Sequence, residues 1–450
     1  MFELLYQAFP NFDSQKLEKK AVFHLLFGTN ARYEEQKLYD QMSALVRLFD
    51  RFLAQQRFEH SPIAHSKFLL HELSIRQIPD HFARSFKRIH RQWNQHSQLD
   101  TQHYLELYML EARWDSFSGK TENRRLKQGL TNTVKHLEYF FLGERLRLAC
   151  EMANRQRILN QSYERGLEGP IIQFLEGDGQ EYLGIPVIDI YFHIYNMLMN
   201  LEESDTHFYL LLNSLEKNSA MFSQQEGYAM YTYAQNYCIK QINQGQSQFL
   251  AELFKIYQYL LEKELLINSS TGFLAHEHYK NITTVALRLK KFEWARSFLD
   301  DFKSRLSPEY VENAYNYNLS VYLYENQKYG EVLKLLQRVV FSDVYYHLSA
   351  KFLLMRIYYE QEDYDGFVYL TQAFLVMLRR NQEISTYQAQ AYKNLIRYSK
   401  KAFTLKRRKK KLLQVEFEER VQKLTAEIQA EKGISNANWL LSQIHQLTYP

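Results

Sequence analysis

Glycine and proline are scarce in this chain, and that scarcity constrains its fold more than any motif. There are 15 glycines and 7 prolines in 450 residues, roughly 5 % together against about 12 % in an average protein. Tight β-hairpin turns need these residues at fixed positions, so sandwiches and barrels are disfavoured. The same scarcity removes the loops that cradle phosphate: neither G-x-x-x-x-G-K-[ST] nor G-x-G-x-x-G occurs. The expected class is all-α. The 34 tyrosines and 30 phenylalanines are then read mainly as packing between paired helices.

Apolar spacing supports helices along residues 1–165, taken as an N-terminal helical domain. Between Tyr33 and Phe58, the residues Leu38, Met42, Leu45, Leu48, Phe49 and Phe52 recur at steps that place them on one helical face. Phe12-Asp13-Ser14 predicts a helix start, Gly28 a left-handed helix end, and Pro62 and Pro79 two first turns. Asp100-Thr101 opens a helix carrying Tyr104, Leu107, Tyr108 and Leu110, which Gly119 is expected to break. A long pattern follows from about Asn123 to Tyr163. Five glycines and two prolines then crowd into residues 166–186. They predict a connector between domains, interrupted by a short helix around Ile171–Leu175. Glu176-Gly177-Asp178-Gly179 within it lacks the spaced oxygen ligands of a calcium loop.

Beyond the connector the chain becomes periodic. The segments Asn281-Ile282…Phe292-Glu293-Trp294-Ala295, Asn318-Leu319…Tyr329-Gly330-Glu331-Val332 and Leu353-Leu354…Tyr364-Asp365-Gly366-Phe367 align, with Phe292, Tyr329 and Tyr364 spaced by 37 and 35 residues. A helix-turn-helix period near 34 residues, with the Asn318–Tyr329 and Tyr358–Asp365 stretches, resembles tetratricopeptide (TPR) repeats. Ser320 stands where that family prefers glycine, and Val332 and Phe367 replace its small helix-B residue. Ala295 keeps that residue, and Pro308 lies near the usual repeat-ending proline. The register is good over about 275–380. A degenerate pair is expected across Glu226–Glu262 with Gly245 at the turn, and a weaker one at Asp189–Asn218. The expected architecture is a TPR-like solenoid over 187–400 that is stable only by stacking.

The resemblance implies a peptide groove lined by helix-A residues. The matching positions are Lys280, Thr284, Leu287 and Arg288; then Tyr317, Asn318, Val321, Tyr324 and Glu325; then Phe352, Arg356, Tyr359 and Glu360. Of the family's carboxylate clamp only Lys280 and Asn318 match, while Thr284, Ser349 and Leu353 replace the rest, so no such clamp is expected. A mixed aromatic and basic groove suits a peptide with apolar and acidic side chains. The bland alternative is that these positions only pack against neighbouring helices.

Residues 401–450 form the expected C-terminal extension, after a capping helix at Ala389–Ser399. Lys406, Arg407, Arg408, Lys409, Lys410 and Lys411 are six consecutive cations, followed by an amphipathic pattern through Leu413, Val415, Phe417, Val421, Leu424 and Ile428. Gly433 is expected to end that helix and Asn438-Trp439-Leu440-Leu441 to begin a last one. The run, helped by Lys400 and Lys401, is the basis of an alternative reading as a nucleic-acid-associated protein. On a helix its charges radiate, so only some can face one phosphate backbone, and a solvated helix is the simpler explanation. The N-terminal pattern, the Gly/Pro stretch and the Trp-Leu-Leu tail together resemble a group of helical bacterial proteins with no assigned activity.

Catalytic and metal motifs are missing from the sequence. No G-x-S-x-G or H-E-x-x-H occurs. His276-Glu277-His278 would point its two imidazoles apart on a helix. Glu202-Glu203 and Asp300-Asp301 are adjacent and so diverge. The expectation is a non-enzymatic scaffold without cofactor or metal, an enzyme being the third reading. Cys150 and Cys238 are the only cysteines and the net charge is a modest +5. Met1–Pro10 has no basic n-region, and Ile185–Leu201 contains Pro186, Asp189 and His193. A bacterial cytoplasmic location with no membrane span follows as the expectation.

Overall fold

The computed structural model describes every residue except 10–11, 13–16, 95–98, 119–126, 160–162, 164–165, 201, 337–343, 432 and 449–450. The protein is all-α: among the described residues there are 21 α-helices and only two isolated β-bridges, Ile267–Leu274 and Leu274–Leu306. Asp13, Ser14, Gly119 and Asn123, read as helix boundaries, lie outside the described residues.

Two compact units divide the chain, Met1–Glu226 and Gly227–Pro450. The first holds α1 (Phe2–Ala8), α2 (Lys19–Phe27), α3 (Glu35–Glu59), α4 (Pro62–Ile75) and α5 (Pro79–Asn94). It continues with α6 (Thr101–Ser118), α7 (Lys127–Leu159), α8 (Glu168–Glu176), α9 (Pro186–Met199) and α10 (Ser204–Asn218). Gly28 ends α2 with φ +97°, and Asp100 caps α6 by accepting the His103 N–H at 2.8 Å.

The Gly/Pro stretch 166–186 is not where the units part. It carries α8 and a 3₁₀ turn at Gln180–Gly184 inside the first unit, where α9 packs along both α7 and α10. The reason is composition: α9 buries Val187, Ile188, Ile190, Tyr191, Phe192, Ile194, Met197 and Leu198. A helix this rich in apolar residues must be enclosed along most of its circumference. Gly143 of α7 permits the approach, since a Cβ there would meet Thr101 Cγ2 at 3.0 Å and Val187 Cγ1 at 3.3 Å.

Helix α11 (Gln224–Asn243) begins at the boundary, and the second unit continues with α12 (Phe249–Glu262), α13 (His276–Arg288), α14 (Phe292–Asp301), α15 (Val311–Glu325) and α16 (Tyr329–Leu336). It ends with α17 (Val344–Glu360), α18 (Tyr364–Arg380), α19 (Thr386–Arg408), α20 (Gln414–Ala430) and α21 (Ala437–Thr448). Three hairpins share one turn. Lys290, Gln327 and Glu362 each adopt positive φ (56°, 60°, 58°). The following amides return to the carbonyls five residues back, Lys291 to Ala286, Lys328 to Leu323 and Asp363 to Tyr358, at 2.9–3.0 Å. This is a Schellman C-cap built on a non-glycine residue. Gly245 (φ +95°) turns the chain from α11 to α12, whose Tyr231–Tyr259 and Tyr237–Phe249 rings meet.

Successive hairpins stack: α15 packs on α13 and α14, and α17 on α15 and α16. Ala295, Val332 and Phe367 are all fully buried on the second helices. The C-terminal part is no appendage. Helix α19 runs unbroken across residue 400, and one apolar core joins α17 and α18 to Phe417, Val421, Leu424, Ile428, Leu440 and Ile444. Leu413 and Val415 depart from the expected apolar face, at 79 % and 69 % exposure.

Candidate binding surfaces

The groove positions divide into those spent inside the chain and those left open. Lys280 donates to Ser349 Oγ at 2.9 Å and lies 5.3 Å over the Tyr317 ring. Asn318 is buried and donates to the Ala314 carbonyl at 2.8 Å, so both clamp-matching side chains are engaged internally. Leu287 and Tyr317 are buried. Thr284, Arg288 and Glu325 are exposed and Val321 is half-buried.

Between the second and third hairpins a polar network forms. Glu360 accepts the Tyr324 hydroxyl and, at 3.1 Å, that of Tyr329. The Arg356 guanidinium lies 4.1 Å over the Tyr324 ring and 3.7 Å from Glu325. Burial pushes the Tyr324 hydroxyl far above the ordinary tyrosine range, and burial raises the Glu325 carboxyl too, against the pull of Arg356.

Helix α21 meets two of the third hairpin's groove positions through Trp439. Trp439 meets the Phe352 ring at 5.5 Å and the Tyr359 ring at 5.6 Å, both edge-on. Phe352, Arg356 and Tyr359 share a face of α17 by their four- and three-residue steps. Nothing in their local spacing announced that the chain's own tail would occupy them. The one signal was Trp439 itself, a large apolar residue opening a short helix far from any partner in sequence.

The basic run breaks into internal and free charges. Arg408 ends α19 and a 3₁₀ turn takes Lys409–Lys411. Lys406 pairs with Glu362 at 3.1 Å and lies over Tyr359. Arg407 stacks 4.1 Å over Tyr364, and Lys409 donates to the Leu447 carbonyl at 2.7 Å. Arg408, Lys410 and Lys411 have no ion-pair partner among the described residues. Folding gathers a different set of cations. A cleft of about 390 Å³ between α19 and α20 is lined by Lys400, Lys401, Arg408, Arg420 and Lys423 with Glu427 as its only carboxylate. Lys401 pairs with Glu427 and Arg420 with Glu416, both at 2.6 Å, leaving Lys400, Arg408 and Lys423 unpaired among the described residues. Sequence reading missed Arg420 and Lys423. Their signal was the three-residue step between Arg420 and Lys423, which sets both on one side of an otherwise acidic helix.

In the first unit, a cleft of about 790 Å³ is walled by Leu130, Val134, Tyr139 and Tyr182 with Glu138, Glu181, Asp115 and Lys135 at its polar edge. Tyr182 donates to Glu138 at 2.8 Å. Near the end of this unit Glu226 accepts from Tyr191 at 3.3 Å. Burial, then the nearby Asp100 charge, pushes its carboxyl up to about 7. The His193 and His207 Nδ1 atoms are 3.0 Å apart, and burial followed by the neighbouring imidazole lowers His207. His276 stacks on Tyr310 whereas His278 bonds Tyr228, so the two rings serve different partners. Among the described residues no group of three or more His, Cys, Asp or Glu is placed to hold a metal ion. No described helix is long and apolar enough to cross a membrane.

No protein-family model matches the chain, and no match is found among curated proteins or solved structures.

Proposed function

We propose that this chain is a non-enzymatic interaction scaffold, TPR-like in its repeats, that binds a peptide or partner helix along the open face of α13 and α15. The observation that carries the reading is the seating of α21. A short amphipathic helix of this same chain rests its Trp439 on Phe352 and Tyr359, two of the helix-A positions that the repeat resemblance assigns to the groove. The positions that match Arg356 and Glu360 in the first two hairpins, Thr284, Arg288, Val321 and Glu325, remain open or half-open to solvent, whereas those that match Phe352 and Tyr359 are buried or engaged within the repeats. Helix-in-groove recognition reuses this chemistry, an apolar anchor among flanking polar contacts. The test compares the wild-type chain with the Arg288→Glu/Val321→Glu variant as bait in nuclease-treated lysate of the source organism. A protein held by wild type, lost with the variant and rebound when purified supports the groove. Identical retained sets refute it.

A second reading has its own observation, the α19–α20 cleft. Three unpaired cations converging from two helices suit a phosphate backbone better than the radiating run does. Fluorescence anisotropy with a labelled single-stranded oligonucleotide tests it across salt. Three lost phosphate contacts flatten the log–log salt slope by about 2. That flattening is expected for Lys400→Gln/Arg408→Gln/Lys423→Gln and is absent from Lys410→Gln/Lys411→Gln. Equal slopes for the two variants remove the cleft from consideration.

A further inference from the structure

The apolar residues that their spacing sets on one face of α3 are left mostly uncovered. Leu38, at the start of α3, is buried with Val22 and Phe23 of α2. Near the other end, the Phe58 ring meets His65 and Phe68 of α4. Between these anchors Met42, Val46, Leu48, Phe49, Phe52 and Leu53 are 45–60 % exposed. Monomeric proteins rarely leave so many large apolar side chains together on one element.

The stripe is organised. Leu38, Met42, Leu45, Phe49 and Phe52 follow alternating steps of four and three, a 3.5-residue seam. Val46 and Leu53 widen it on one flank and Leu48 on the other. Asp40, Arg47 and Arg51 lie on the opposite side of the helix, and Lys37, Asp50 and Arg57 stand off the seam's centre line, by the 100° step of an α-helix. A face with charge kept from its centre and apolar residues at seam spacing is built to meet another helix.

We propose that α3 pairs with α3 of a second copy of this chain, antiparallel, about a two-fold axis near Arg47. The antiparallel register is self-complementary: Met42 of each copy meets Phe52 of the other, and Leu45 meets Phe49. Each contact sets an aromatic ring against a more compliant aliphatic chain. The area is sufficient only when both sides bring the stripe. Six half-exposed side chains at about 100 Å² each give about 600 Å² per copy and about 1,200 Å² per pair, the lower bound of a stable interface. An isologous pair also closes on itself and leaves no second sticky face.

Sedimentation of the full-length chain over a range up to tens of micromolar tests this. Wild type is expected to form a concentration-dependent dimer. Phe49→Glu places a charge in the apolar seam and is expected to weaken self-association about a hundredfold or more. Phe49 is half-exposed in the monomer, so the variant should keep its circular dichroism and melting profile. Leu45→Cys/Phe49→Cys is expected to cross-link between copies on oxidation, the native Cys150 and Cys238 being buried. A wild-type monomer at the highest concentration, or a dimer that Phe49→Glu leaves intact, overturns the proposal. A dimer lost with Phe49→Glu but never cross-linked overturns the antiparallel pairing.

Discussion

Replacing Glu360 with alanine removes an acceptor shared by two tyrosine hydroxyls from different helices. Tyr324 on α15 is 6 % exposed and donates to Glu360 on α17, and Tyr329 donates to the other carboxylate oxygen at 3.1 Å. A buried hydroxyl left without a partner costs about 1–3 kcal/mol, while the half-buried Tyr329 can turn to water at about 0.5 kcal/mol. The expected loss is about 2–3 kcal/mol, felt where the second and third hairpins meet. Glu360→Gln keeps one acceptor and should lose about 1 kcal/mol. The decisive measurement is a double-mutant cycle with Tyr324→Phe, read by hydrogen exchange of α15 and α17 amides, which reports local opening rather than global unfolding. A coupling of about 1–2 kcal/mol is expected. If Glu360→Ala costs as much in the Tyr324→Phe background as in wild type, the shared carboxylate is not what joins the hairpins.

Other perturbations have equally definite outcomes. Gln327 holds a left-handed turn at φ 60°, so Gln327→Gly should stabilise by about 0.5–1 kcal/mol and Gln327→Val should destabilise by more than about 1 kcal/mol, read as shifts in melting. Equal melting of the two variants would show that the turn is not held in that conformation in solution. Trp439→Ala should loosen α21 by about 2–4 kcal/mol, seen as new proteolysis around residues 431–436, and unchanged protection would mean the tail is held elsewhere. The Glu226 carboxyl is raised to about 7 from 4.5 by burial and Asp100. Such a group stabilises fully below 4.5 and loses that contribution as pH rises through about 7. Wild type should therefore lose about 1–3 kcal/mol relative to Glu226→Gln between pH 4.5 and 8, after allowance for solvent screening. The histidines lowered by burial are common to both proteins and cancel in the difference, so a flat difference profile would sink the assignment.

Local chemistry determined much of this protein directly. Few turn-formers and three- and four-residue apolar steps dictate an all-α chain, because these signals act within one helical turn. The 37- and 35-residue spacing likewise foretold where hairpins reverse: Lys290, Gln327 and Glu362 lie two residues before the aromatic markers, at the same spacing. Tertiary structure decided which apolar faces are covered and by what. Crowded glycines suggested a domain boundary at 166–186, yet α9 needed enclosing on both sides and kept α7 and α10 in one unit. Six consecutive cations drew attention to 406–411. The cleft instead gathers Lys400, Lys401, Arg408, Arg420 and Lys423, because convergence depends on how two helices are juxtaposed. Periodicity marked both α3 and α20 as amphipathic. Only packing distinguished the helix whose Phe417, Val421, Leu424 and Ile428 enter a core from the one whose stripe faces water. An apolar face is a property of sequence, but its burial depends on contacts that come from distant parts of the chain.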